Sequence, residues 1–188
     1  MKRSLYLTLA LATCLAAMAS ADTHTSAQPA SSSYTIHTNQ GYVAWIGRFH
    51  PARDAKLATA IRIFGIPSSH HLTSSDACIV NWRQIGLRIT FVSYAVGPGA
   101  DICSPAVGLA QSFAAHGRRF RSWAGLRPGM TSSRVADLHP SAELRRGTWW
   151  LRTAVSPFGD ESEYPVVQAL VSRGRVQALS GWIGAAGE

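Results

Sequence analysis

Hydrophobic positions along the first half alternate between helix-like and strand-like spacing. One stretch has apolar residues on a single helical face and ends in a Gly-x-Pro stop; its residues are Leu57, Ile61, Phe64, Gly65 and Pro67. The spacing predicts a short amphipathic helix, with Asp54 as its capping residue. A strand is predicted before it, over residues 42–49.

The segment after this helix predicts a hairpin. Residues 68–77 are polar and predict a loop. The apolar run Cys78–Trp82 and the alternating run Leu87–Val92 have the character of strands, and residues 83–86 form the turn between them.

Two more helices are predicted further along. Residues 104–117 begin with Ser-Pro, a common helix start, and place Leu109 and Phe113 on one face. Residues 131–138 form the other helix, which Pro140 stops.

Strands close the chain at residues 147–155, 164–173 and 174–183, with Gly174 in the last turn, as Gly86 is in the first hairpin. Each half thus appears as a helix, a turn with proline, a strand and a hairpin, which favours an internal duplication. The predicted fold class is α+β, with short helices packed on an antiparallel β-sheet in two tandem helix–hairpin repeats.

The N-terminus has the three parts of an export signal. Lys2 and Arg3 precede the uncharged stretch Leu5–Leu15, and Ala19–Ala21 offers small residues for cleavage. The apolar stretch is shorter than the about 20 residues that span a bilayer. The sequence therefore predicts a signal peptide over residues 1–21 and a secreted or extracytoplasmic protein without a transmembrane span in its mature form.

An alternative processing route remains open. Leu11–Cys14 loosely resembles a lipoprotein processing site, in which Cys14 would be lipidated, although Thr13 stands where a smaller residue is usual. On either route the polar stretch over residues 22–41 is a predicted flexible leader. Behind it, the first α+β repeat with its disulfide spans 42–124, and the second spans 125–188.

Cleavage would leave two of the three cysteines, Cys78 and Cys103. Two cysteines in an oxidising compartment most simply form one disulfide, and two buried free thiols are the alternative. Cleavage would also remove Lys2 and Arg3, so the formal net charge of +8 would fall by two. The remaining arginines are scattered, which favours solubility over nucleic-acid binding.

The six tryptophans are the main binding candidates. Trp149 and Trp150 are adjacent on a predicted strand, so one should face the helices and the other the open face of the sheet. Aromatic rings on such a face favour contact with a partner, whereas ordinary core packing is the alternative. The predicted partner-binding residues are Trp82, Trp149, Trp150, Trp182 and Arg152.

Other chemistry finds little support in the sequence. His70 and His71 are adjacent with Asp76 nearby, but they lack the spacing of a metal site, and we expect neither a metal nor a cofactor. The acidic residues Glu161 and Glu163 are interpreted as solvated charge. The chain has no Gly-x-Ser-x-Gly motif, so a secreted hydrolase with scattered catalytic residues remains only an alternative.

One stretch of the second half resembles a known family. The sequence GLRPGMTSSRVADL with a following proline, and a hairpin ending in GRVQAL, is similar to the small module of BamE/SmpA-like outer-membrane assembly proteins, which occurs in tandem in β-lactamase inhibitory proteins. The matching residues are Gly129, Met130, Thr131, Val135, Leu138, Pro140, Gly174, Arg175 and Val176. The first half matches only at its helix end and lacks the Gly-Met-Thr opening.

The resemblance implies a protein-binding or envelope-scaffold role. We therefore expect an exported, non-enzymatic binding module whose partner is a protein or another component of the cell envelope. No inhibitory loop matches, and a fold alone does not define a function.

Overall fold

The computed structural model describes residues 33–39, 43–50, 55–74, 76–93, 101–155 and 162–184. These ranges contain eleven strands and two helices. In the first part of the chain they are β1 Tyr34–Thr38, β2 Ala44–Ile46, α1 Leu57–Phe64, β3 Ser69–Leu72, β4 Cys78–Trp82, β5 Leu87–Val92 and β6 Leu109–Ala115. The later elements are β7 Phe120–Ser122, α2 Ser133–Leu138, β8 Glu143–Arg145, β9 Thr148–Val155, β10 Glu163–Ser172 and β11 Arg175–Trp182.

Eight of the strands form one antiparallel sheet with the order β3-β4-β5-β6-β11-β10-β9-β8. It consists of two four-stranded meanders, which we call the first meander (β3 to β6) and the second meander (β8 to β11). They join where β6 pairs with β11, with Ala115 opposite Leu179. The other three strands form a small sheet, β2-β1-β7, in which β1 and β7 are parallel.

The predicted α+β fold class is wrong, because the protein is mostly β. Its two helices have eight and six residues, too few to form a layer over the sheet. The predicted helix over 104–117 is largely strand β6. Leu109 and Phe113 fit a helical face, but β6 pairs with β5 on one edge and β11 on the other, and this pairing overrides the local preference for helix.

Two further strands lie where the sequence predicted irregular structure. The expected leader over residues 22–41 contains β1, whose Ile36 is fully buried. The polar stretch over 68–77 contains the edge strand β3.

The hairpin of β8 and β9 turns at Arg146 and Gly147, with φ of 50° and 81°. Arg173 and Gly174 have nearly the same angles in the last hairpin, 50° and 70°. Positive φ at both central residues is the type I′ turn, which suits the twist of paired strands. An Arg-Gly pair therefore closes two of the hairpins.

Other predictions are confirmed. Helix α1 follows the predicted apolar spacing, β4 and β5 form the expected hairpin, and Cys78 and Cys103 form a disulfide. The proposed capping residue Asp54 lies outside the described residues.

One face of the large sheet, the inner face, packs on α1 and the small sheet. Phe64 of α1 is central there, with ring centroids 5.4 Å from Tyr34, 5.6 Å from Phe49 and 5.7 Å from Trp82. The opposite face, the outer face, carries mostly polar and half-exposed side chains; they include Asn81, Arg88, Thr90, Ser112, Gln168 and Trp150. The strand period of two thus separates a core from a polar surface.

Among the described residues, no helix combines the length and apolar character needed to cross a membrane. The disulfide is compatible with an extracytoplasmic location. The expected signal peptide and Cys14 lie outside the described residues.

Candidate functional site

Trp149 and Trp150 lie on opposite faces of β9. Trp149 pairs with Ala169 and packs against the core on the inner face. Trp150 pairs with Gln168 and lies half-buried on the outer face. The outer face therefore presents one of the two indole rings.

Trp150 is covered by a guanidinium group that two carboxylates hold. The Arg145 guanidinium carbon lies 4.7 Å from the Trp150 ring centroid, a cation–π arrangement. Arg145 Nε donates to Glu143 at 2.7 Å, and its Nη1 lies 2.6 Å from Glu163. The hydrogen bond to Glu163, followed by that to Glu143, raises the pKa of Arg145 further above its already high usual value. We call these four residues the Trp150 cluster.

The cluster is assembled by the pairing of three neighbouring strands, β8, β9 and β10. Glu143 and Arg145 alternate on β8 and so share a face, and the Arg146-Gly147 turn returns the chain as β9, placing Trp150 opposite Glu143. Glu163 comes from the start of β10. It begins a strand and forms an ion pair, while its side chain stays 46% exposed as expected for a solvated charge.

The other predicted partner-binding residues lie apart from one another. Trp182 is half-buried at the end of β11, opposite Ser112 on the outer face, and Arg152 is exposed on β9. Trp82 is fully buried on the inner face, where its Nε1 donates to the Gly65 carbonyl at 2.7 Å. A partner cannot contact Trp82 in this fold, so it is left out of the binding surface.

A serine and a histidine meet inside the protein. Ser122 Oγ lies 2.8 Å from His139 Nε2 and accepts a hydrogen bond from the Leu126 N–H. Ser122 has no exposed surface and His139 only 3%. Burial lowers the pKa of His139 to about 4, so the ring is neutral near pH 7. The Trp123 ring stands edge-on to His139 at 4.7 Å, and 40% of Trp123 is exposed.

The paired histidines do not converge on a metal. On β3, His70 pairs with Val80 and His71 with Ile79, so the two side chains leave opposite faces of the sheet. Within the described ranges no group of three His, Cys, Asp or Glu side chains is placed to hold a metal ion.

Comparison of the chain with protein-family models, curated proteins and solved structures gave no match. The resemblance to BamE/SmpA-like modules therefore remains a prediction.

Sequence reasoning missed most of the Trp150 cluster. It identified Trp150 from its place on a predicted strand, but it noted Arg145 only as part of a short cluster with Arg146 among scattered arginines. The signal that could have found the cluster is Glu-x-Arg followed by Arg-Gly, because alternation puts Glu143 and Arg145 on one face just before a tight turn.

Proposed function

We propose that this chain is an exported, non-enzymatic binding module, and that its partner is a protein of the cell envelope that docks on the outer face of the second meander. The observation that carries this proposal is the Trp150 cluster, in which an arginine stacks on a half-exposed tryptophan at the outer strands of a sheet. Tryptophan and arginine are the side chains that most often dominate the energy of protein interfaces.

The ion pairs that already hold Arg145 in place also support docking of a partner. Arg145 is already held by Glu143 and Glu163, so it loses less conformational freedom when a partner covers it than an unpaired arginine would. Its side chain keeps 34% of its surface exposed, and those of Glu143 and Glu163 keep 55% and 46%. Polar atoms thus remain at the surface for a partner to contact around the ring.

The alternative of a secreted hydrolase has less support. The Ser122–His139 contact has the spacing of a catalytic pair, but a substrate cannot reach a serine without exposed surface. Its position suits a structural role, because it connects β7 with the end of α2.

Affinity capture from the envelope fraction tests the proposal. The wild-type chain is compared with Trp150→Ala and Arg145→Ala, and with Arg134→Ala as the control, since Arg134 forms a comparable exposed ion pair with Asp137 on α2. We expect one captured protein that both cluster variants lose and the control keeps, with unchanged far-UV circular dichroism. A capture pattern that is the same for all four chains would refute the proposed surface.

A further inference from the structure

A second feature of the outer face lies at the other end of the large sheet. The first meander carries a cleft of about 450 Å³. Its polar lining comes from all four strands or their ends, and consists of Ser69, His71, Asn81, Arg83, Arg88 and His116. None of these residues belongs to the Trp150 cluster.

Strand register explains why these side chains converge. Ser69 pairs with Asn81, Asn81 with Arg88, and Arg88 with Ala114, so this row shares the outer face. His71, Arg83 and His116 each lie two positions along from a member of that row, and the period of two returns them to the same face. The cleft is thus a product of pairing across the meander.

Two glycines hold the His116 end of the cleft in place. The Gly86 carbonyl, in the turn before β5, accepts from the N–H groups of His116 at 2.7 Å and Gly117 at 3.2 Å. A Cβ on Gly117 would lie 2.0 Å from the Ile85 carbonyl oxygen, so the backbones can approach this closely only without a side chain there. His116 is thereby fixed beside the turn that carries Arg83.

Hydrogen bonds orient the central arginine. Arg88 Nε donates to Asn81 Oδ1 at 3.0 Å, and Asn81 Nδ2 in turn donates to Ser69 Oγ at 3.4 Å. The hydrogen bond to Asn81 uses the Nε side of the Arg88 guanidinium group. The Arg88 side chain is exposed. The two terminal nitrogens remain available for a bidentate contact with an anion.

The charge of the cleft is unbalanced. Among the residues that the structure describes, its lining has two guanidinium and two imidazole groups and no carboxylate. Within the described part of the chain, Arg83 and Arg88 form no ion pair, in contrast to Arg145 with its two carboxylates. Four nitrogen-bearing side chains without an acid define a site for a negatively charged ligand.

We propose that this cleft binds a ligand that presents two or more phosphate groups close together, either within one molecule or on neighbouring lipid headgroups. The guanidinium fork matches the oxygens of phosphate, and imidazole adds further donors. From β3 to β6 the cleft crosses three strand spacings, about 14 Å, which is wider than a single phosphate and leaves room for two or more. The source is a soluble polyphosphate compound or the phosphate headgroups of a lipid surface, and these share the same chemistry.

Calorimetric titration with tripolyphosphate tests the site. The wild-type chain is compared with the double variant Arg83→Gln/Arg88→Gln, and with Arg134→Gln/Arg175→Gln, which removes the same charge away from the cleft. We expect binding by the wild type and the control, and a loss of affinity of about tenfold or more in the cleft variant. No binding by the wild type, or an equal loss in both double variants, would overturn the proposal in its soluble-ligand form.

Sedimentation with vesicles distinguishes the source. Vesicles of phosphatidylglycerol and of phosphatidylcholine are offered to the same three chains. Binding to phosphatidylglycerol that only the cleft variant loses supports a headgroup ligand, whereas absence of vesicle binding alongside tripolyphosphate binding supports a soluble one. If neither probe distinguishes the cleft variant from the control, the proposal fails. Neither result bears on the Trp150 cluster, because all these variants leave it intact.

Discussion

The two meanders of the large sheet have the same number of strands, but their outer-face arginines differ in whether they form ion pairs. In the first, Arg83 and Arg88 face a cleft whose described lining has no carboxylate, and the Cys78–Cys103 disulfide crosslinks the start of β4 to the segment before β6. In the second, Arg145 is neutralised by Glu143 and Glu163 and covers Trp150. The difference separates our two proposals: two arginines without ion pairs among the described residues that converge on one cleft suit an anion, whereas an arginine held by carboxylates over an aromatic ring suits a preformed contact surface.

The largest effect is expected where a tryptophan of the first meander belongs to the core. Trp82 has no exposed surface, so Trp82→Ala should lower the free energy of unfolding by about 4 kcal/mol. Trp150→Ala on the outer face should lower it by less than about 1 kcal/mol. Urea denaturation measures both, and equal losses would contradict the assignment of the two rings to opposite faces.

The disulfide gives the next largest effect. It closes a loop with a sequence separation of 25, so Cys78→Ser/Cys103→Ser should lower the free energy of unfolding by roughly 3 kcal/mol. Hydrogen exchange should rise mainly in β4 and β5, where Cys78 lies, and less in the second meander. A uniform rise would mean that the two meanders do not differ in local stability.

Acid should weaken the connection between β7 and α2. Because burial lowers the pKa of His139 from 6.5 to about 4, the folded state holds a neutral ring that the unfolded state protonates more readily. The stabilisation is complete above pH 6.5 and is lost as the pH falls towards 4, by up to about 3 kcal/mol. Chemical denaturation between those pH values measures it.

His139→Gln serves as the control for this pH dependence, since it cannot titrate. Its free energy of unfolding should change less over the same pH interval. A variant with the wild-type slope would show that another group causes the acid sensitivity.

The smallest effect concerns the exposed arginines themselves. Arg145→Gln should lower the melting temperature slightly, and less so in high salt, because salt screens its two ion pairs. Arg88→Gln should show no such salt dependence. Thermal melts at low and high salt separate the two, and the same behaviour in both variants would remove the contrast between paired and unpaired arginines.

Local sequence signals predicted those parts of the fold that local chemistry decides. The alternation from Leu87 to Val92 gave β5, and Gly174 gave the last turn, because period and turn geometry are properties of a few neighbouring residues. Strand β6 was missed because Leu109 and Phe113 fit a helix equally well, and only the presence of β5 and β11 on either side decides for a strand. A short stretch of sequence does not show which distant strands will pair with it.

The candidate sites show the same contrast between what local sequence predicts and what depends on long-range strand pairing. Trp150 could be predicted from its place on a strand, since alternation alone sends it away from Trp149. The partners of Trp150 and the cleft residues come from separate strands, and their meeting depends on register. His71 shows this most clearly, since it looked like part of a polar loop and instead lies on an edge strand beside the cleft.

One measurement tests the contrast between the meanders most directly: nuclear magnetic resonance of the side-chain Nε–Hε groups of arginine and the indole N–H groups during titration with tripolyphosphate. The account predicts that the Arg83 and Arg88 signals shift together and saturate, while those of Arg145 and Trp150 stay in place. Equal shifts at Arg145, or shifts that grow at every arginine without saturation, would contradict it.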